Sequence, residues 1–228
     1  MAFRPCVPQV RHSQPTVKIY AAADIHARRD RLASVRETFM RTRADVFVAA
    51  GDLFNYRWCA GVIRGLQELP GPVIAVRGNS DPKHAMRLLA AAPNLICLHR
   101  QPAVTKGIEF FGIGGTIPLP FRSRLAVREA SLMASVNALV GSKTVLVAHP
   151  PPYGACDLAF QRFHVGSRRL RQLVLRRKPR LLICGHVHER AGACLVGETL
   201  VVNCSIGRRG AGALIDLGPA GRPRVEML

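Results

Sequence analysis

Short apolar runs alternate through the first half of the chain with segments whose apolar residues recur every three to four positions. The runs 17–23, 45–50 and 73–76 are rich in Val, Ile, Phe and Ala and argue for strands. Between the first two, Leu32, Val35 and Phe39 mark one face of a helix over 29–42. Further helices are predicted over 57–68 and 83–91. Such alternation points to right-handed βαβ units and a parallel sheet. Asp81 followed by Pro82 reads as the N-cap and first-turn proline of the third helix.

From Leu95 the pattern shortens. Strands are predicted at 95–98, 103–106 and 108–113, then a long helix near 124–140 and a strand at 143–148. A helix at 167–177 with an apolar stripe of Leu170, Leu173 and Val174 precedes a strand at 180–184. Hairpin strands follow at 192–196, 199–204, 211–217 and 223–227, with a turn at Gly197-Glu198 and a flexible crossing from Gly207 to Gly212. Two sheets face to face, flanked by helices on the outside, would use all of these elements, so the class is α/β. No repeat or second boundary divides residues 16–228, which read as one domain. Residues 1–15, with Pro5, Pro8 and Pro15 and no hydrophobic core of a signal peptide, read as a flexible tail.

The strands end in a chemically uniform way. KIYAAA runs into Asp24 and His26, DVFVAAG into Asp52, VIAVRG into Asn79, TVLVA into His149, and RLLICG into His186 and His188. Residues at the carboxyl ends of neighbouring strands share one crevice in an open α/β sheet. Glycines precede Asp52, Asn79 and His186, where a missing Cβ lets backbone approach a ligand closely. His186 and His188 are two apart, which on a strand turns both to the same side. Two divalent cations held by Asp24, Asp52 and these neutral ligands would leave a charge of about +2, attractive to a phosphate ester. Mixed imidazole and carboxylate ligation suits manganese, iron, zinc, cobalt or nickel better than calcium or magnesium, and manganese is favoured.

Composition narrows the alternatives. With 48% hydrophobic and 21% charged residues, the 228-residue chain is neither disordered nor fibrous. No run is long enough for a membrane-spanning helix. The seven cysteines are scattered without paired spacing, which fits reduced thiols in a cytoplasmic protein. The net charge of +19 would draw anionic partners. Its densest stretch, Arg168 to Arg180, overlaps the predicted helix and reads as a solvated outer face. Aromatic residues, 6% of the chain, do not interleave with the arginines, so a stacking platform for single-stranded nucleic acid is unsupported.

The ordered motifs Asp24-x-His26, Gly51-Asp52, Gly78-Asn79, His149 and Gly185-His186-x-His188 resemble the calcineurin-like metallophosphoesterases. The likeness is nearest to small stand-alone prokaryotic members, through His149-Pro150-Pro151-Pro152-Tyr153-Gly154, His164 to Ser167 and Gly185 to Glu189. The resemblance implies a four-layer αββα sandwich and a dinuclear centre. Asp24, His26 and His188 would hold one ion, Asn79, His149 and His186 the other, and Asp52 would bridge them. It also implies in-line attack of a metal-bridging hydroxide on phosphorus, with Asn79 contacting the phosphoryl group. Ser80 stands where most relatives carry a histidine that protonates the leaving group. Either the leaving group is good enough to need no acid, or His164 supplies the proton; phosphodiesters or activated phosphomonoesters are the expected substrates. The alternatives are a nuclease or an anionic-lipid phosphoesterase guided by the basic surface, with Ile117 to Phe121 as the only apolar insert, and a non-catalytic scaffold on the same fold. The scaffold reading is disfavoured because every ligand type is present.

Overall fold

The computed structural model describes residues 16–55, 59–115, 133, 136–207 and 210–228. In the first sheet, β1 (Val17–Ala22), β2 (Val46–Ala49), β3 (Val73–Ala75) and β4 (Leu95–Cys97) lie side by side and parallel. β13 (Ala213–Leu217) and β14 (Arg224–Met227) extend it antiparallel beyond β1. The second sheet runs β11 (Gly192–Val196), β12 (Thr199–Asn203), β10 (Leu181–Cys184), β7 (Val145–Ala148), β6 (Ile108–Ile113) and β5 (Pro102–Thr105). Its four central strands are parallel and its two edges antiparallel.

The period-two alternation of strand side chains sorts the apolar residues into three layers. Ile19, Val48 and Ile74 of the first sheet meet Phe110, Val147 and Ile183 of the second, forming the core between the sheets. Tyr20, Phe47 and Val73 point the other way, against Leu32, Val35 and Phe39 of α1 (Arg29–Thr42) and Val62 and Leu66 of α2 (Cys59–Gln67). Leu89 of α3 (Lys83–Ala90) joins the same cluster. On the far side, Phe111, Leu146 and Leu182 pack against Leu170, Leu173 and Val174 of α4 (Arg168–Arg177). The result is the expected αββα order of layers. The α4 stripe is buried, its arginines face outward, and Ser167 caps it by accepting from the Leu170 amide at 2.9 Å.

The structure departs from the sequence reading at several points. Of the helix expected over 124–140, only Met133 and residues 136–140 are described, with Met133, Val136 and Val140 in the outer core of the second sheet. The expected tail 1–15 and the stretch Ile117 to Phe121 lie outside the described residues. The C-terminal hairpins form as expected, and they divide between the sheets: β11 and β12 belong to the second, β13 and β14 to the first. A hairpin of β8 (Leu158–Ala159) and β9 (Phe163–His164) was not foreseen, because strands of two residues carry no periodicity.

Asp81 does not cap α3. Pro82 occupies the N-cap position without a side-chain cap bond. The buried Asp81 carboxylate instead accepts from the amides of Phe54 and Gly78, each at 2.8 Å, and so binds the loop after β2 to the loop after β3. Burial raises its carboxyl above the usual range, against the two amide bonds that lower it. Asp81→Ala strands two buried N–H groups at a cost of roughly 2–4 kcal/mol. For a domain of this size that lowers the melting temperature by roughly 5–15 °C in calorimetry. A fall of less than about 2 °C would contradict the tie between the loops.

Candidate metal centre

The two sheets are stitched at their carboxyl ends. Ala23 forms a parallel bridge with Ser205, its amide donating to Cys204 O and its carbonyl accepting from Ile206 N, both at 3.1 Å. That contact brings the ends of β1 and β12 together directly before Asp24. Asp24, His26, Asp52 and His186 then adopt left-handed backbone, with φ of 66°, 52°, 52° and 74°. Non-glycine residues rarely do this, and such strain collects at functional sites. All three preceding glycines are explained by close approach, and a Cβ on Gly51 would meet the His149 ring. A Cβ on Gly78 would fall on the Asp52 carboxylate, and one on Gly185 would meet Ala23 and Asp24.

The seven residues expected from the strand ends converge. In one half, His188 Nε2 lies 3.3 Å and His26 Nε2 3.9 Å from Asp24 Oδ1. In the other, His149 Nε2 lies 3.0 Å from Asn79 Oδ1 and 3.3 Å from His186 Nδ1. Asp52 Oδ2 stands between the halves, 3.9 Å from His26 Nε2 and 3.5 Å from His149 Nε2. His186 and His188 serve different halves, so the expectation that both project from one strand face is corrected. β10 ends at Cys184, His186 takes its left-handed turn, and His188 opens a short 3₁₀ turn, His188–Arg190.

Secondary contacts orient these groups. The His149 ring places Nδ1 2.9 Å from Ala50 O, which leaves Nε2 to face the cluster. The His186 amide donates to Asp24 Oδ2 at 3.0 Å. Ser80 donates twice to Asp52, from its amide to Oδ1 at 2.7 Å and from its hydroxyl to Oδ2 at 2.8 Å. The sequence had marked Ser80 only as a missing acid; its role as the clamp on Asp52 was not foreseen.

The electrostatics agree. Burial would raise the Asp52 and Asp24 carboxyls, yet their histidine neighbours prevail and hold both below the usual range, with help from Ser80 and Ser205 respectively. Burial pulls the His149 imidazole down, but Asp52 and Asp24 outweigh it and bring it up to about 8. Burial, with His149 beside it, lowers His186, whereas the contact with Asp24 raises His188. Among the described residues no well-formed hydrogen bond reaches the buried Asp24 Oδ1, whose nearest histidine nitrogen is His188 Nε2 at 3.3 Å, so an under-satisfied acceptor is aimed into the cluster. Two sets of ligand atoms, Asp24 with His26 and His188 and Asp24 with Asp52 and His149, are mutually close enough to grasp one ion each. Carboxylate and imidazole donors around an orphaned oxygen fit divalent cations.

His164 is placed differently. Its Nδ1 lies 2.7 Å from Asp157 Oδ1 and its ring rests 5.1 Å from that of Tyr153, so its contacts are not with the seven residues. The hairpin carrying it is docked beside them, because the Phe160 amide donates to Glu189 Oε1, one residue after His188, at 2.8 Å.

Residues 17–190 match the family model described as calcineurin-like phosphoesterase. The chain is 31% identical to protein MJ1162 of Methanocaldococcus jannaschii over 199 residues, covering 83% of this chain and 88% of that one. Its fold matches that of TT1561 of Thermus thermophilus, with TM-score 0.69, 18% identity, and coverage of 93% and 99% of the two chains. A protein described as a novel archaeal phosphodiesterase superposes with TM-score 0.51 at 16% identity, covering 93% of this chain and all of that one. No described helix is long and apolar enough to cross a membrane.

Proposed function

The chain belongs to the calcineurin-like phosphoesterase family, and from that premise we propose that it hydrolyses phosphodiesters or activated phosphomonoesters at a centre of two divalent ions. The observation that carries this reading is the buried Asp24 Oδ1, which accepts no well-formed hydrogen bond and lies where the two sets of candidate ligand atoms meet. Asp24, His26 and His188 would hold one ion and Asn79, His149 and His186 the other. Asp52, poised between His26 and His149, would bridge them. When bound, such ions lower the pKa of a coordinated water and neutralise charge developing on the phosphoryl oxygens.

The protein's own groups supply the rest. Ala50 O and the Ser80 donors hold His149 and Asp52 in place, so little reorganisation accompanies binding. Asn79 Nδ2, whose partner is Ser80 Oγ at a long 3.4 Å, is free enough to turn toward a phosphoryl oxygen. Ser80 already donates its hydroxyl to Asp52 and is poorly placed to protonate a leaving group. That favours diesters and monoesters with good leaving groups, and alkyl diesters would draw their proton from His164.

The test is a hydrolysis panel with manganese, iron, zinc, cobalt, nickel and magnesium, combined with elemental analysis. Bis-nitrophenyl phosphate, cyclic nucleotides and sugar phosphates are the substrates. Turnover of the diesters with about two bound ions per chain, highest with manganese, is expected. Faster turnover of sugar phosphates than of any diester would refute the substrate class, and no hydrolysis by metal-loaded protein would refute the activity.

A further inference from the structure

We propose that Cys156 and Cys194 are a redox-modifiable pair that closes to a disulfide and so fastens the segment carrying His164 to the edge of the second sheet. Their sulfurs stand 3.4 Å apart although the residues are 38 positions apart in the chain. Cys194 lies on the edge strand β11, and Cys156 sits in the loop after β7. A disulfide needs the sulfurs at about 2.05 Å, so they must close by about 1.4 Å from their 3.4 Å separation. Both thiols are half-buried, whereas Cys184 and Cys204 are fully buried. Cys156 also lines a cavity of about 360 Å³ with Gly154, Asp157, His164 and Arg190, through which a small oxidant can arrive.

The local chemistry favours Cys194 as the attacking sulfur. Its thiol is lowered chiefly by the hydrogen bond from Cys156, helped by Arg171, while burial and Asp157 oppose the change. The thiolate is the reactive form of cysteine. With hydrogen peroxide as oxidant, the Cys194 sulfur attacks one peroxide oxygen, the O–O bond breaks, and water leaves with the thiol proton. The Cys156 sulfur then attacks the sulfenic sulfur. The S–S bond forms, the S–O bond breaks, and a second water carries away the Cys156 proton. One peroxide thereby accepts the two electrons that the thiol pair gives up.

The cross-link would act on structure beside the metal centre. The Cys156 carbonyl accepts from Asn203 Nδ2 at 3.2 Å, and that same amide holds Val187 O at 2.9 Å, between His186 and His188. The next residue, Asp157, accepts from the amides of Gly154 and Gly166, each at 3.0 Å, and pairs with His164. Pinning Cys156 therefore restrains the loop that presents His164 without touching a ligand.

The experiment treats reduced, metal-loaded full chain with one equivalent of hydrogen peroxide, then maps alkylated peptides without reduction. The expected product is a peptide linking Cys156 to Cys194, with two of the seven thiols lost and restored by dithiothreitol. The Cys194→Ser and Cys156→Ser variants should each abolish it. Oxidation spread over Cys59 and Cys97, or sulfinic acid at Cys194 without the linked peptide, overturns the pair. Amide hydrogen exchange across residues 150–166 should slow at least about threefold in the oxidised protein, since exchange reports local opening. Unchanged exchange with the link formed overturns the fastening.

Discussion

Asp52→Asn is expected to lower hydrolysis of bis-nitrophenyl phosphate at least about 10³-fold and to cut bound metal from two ions per chain to one or none. The amide keeps the size of the carboxylate and can still accept from the Ser80 amide, so the fold should survive. What it removes is a negative charge placed 3.9 Å from His26 and 3.5 Å from His149, between a histidine of each half-site. Each tenfold in rate corresponds to about 1.4 kcal/mol of transition-state stabilisation, and ions held there would supply several kcal/mol. Circular dichroism and the melting temperature of the metal-free variant should stay close to the parent. A variant that keeps more than a tenth of the rate and both ions would remove Asp52 from the bridging position.

The candidate site was legible in the sequence because its residues sit at strand ends, where a polar residue interrupts an apolar run. Asp24, His26, Asp52, Asn79, His149, His186 and His188 were all found that way, and all seven meet in space. The layers were legible for the same reason: Ile19 and Tyr20 alternate between two different cores. What was hidden depends on contacts distant in the chain. Asp81 before a proline reads locally as a cap, yet its carboxylate is drawn inward by two amides that only the folded loops present. Ser80 has the chemistry of a turn residue and becomes a clamp only because Asp52 lies across from it. The spacing of His186 and His188 suggested a strand, but the left-handed turn at His186 directs the two rings to opposite halves. Cys156 and Cys194 meet because β11 is an edge strand facing the β7 loop, a fact of topology that no spacing records.

His164→Gln is expected to reduce turnover of alkyl phosphodiesters by roughly 10²-fold while leaving nitrophenyl diesters within about threefold, the signature of a lost general acid. A good leaving group departs as an anion and gains little from a proton; a poor one needs it. Ser80 is committed to Asp52, so a general acid would have to be a histidine that approaches the leaving oxygen from outside the seven clustered residues. His164 lies on a hairpin docked to the residue after His188, with Nδ1 held by the buried Asp157 carboxylate and Nε2 therefore the atom turned away from it. Asp157 is a positioning residue in this scheme. It also accepts from Gly154 and Gly166, so Asp157→Asn should misplace the ring and reproduce the same dependence on leaving group at smaller amplitude. The decisive measurement is the slope of log(kcat/KM) against leaving-group pKa for parent and variants. A steeper slope in His164→Gln supports proton donation. Parallel slopes, with equal losses for alkyl and nitrophenyl esters, would reduce His164 to a packing residue and leave the protein restricted to substrates that need no acid.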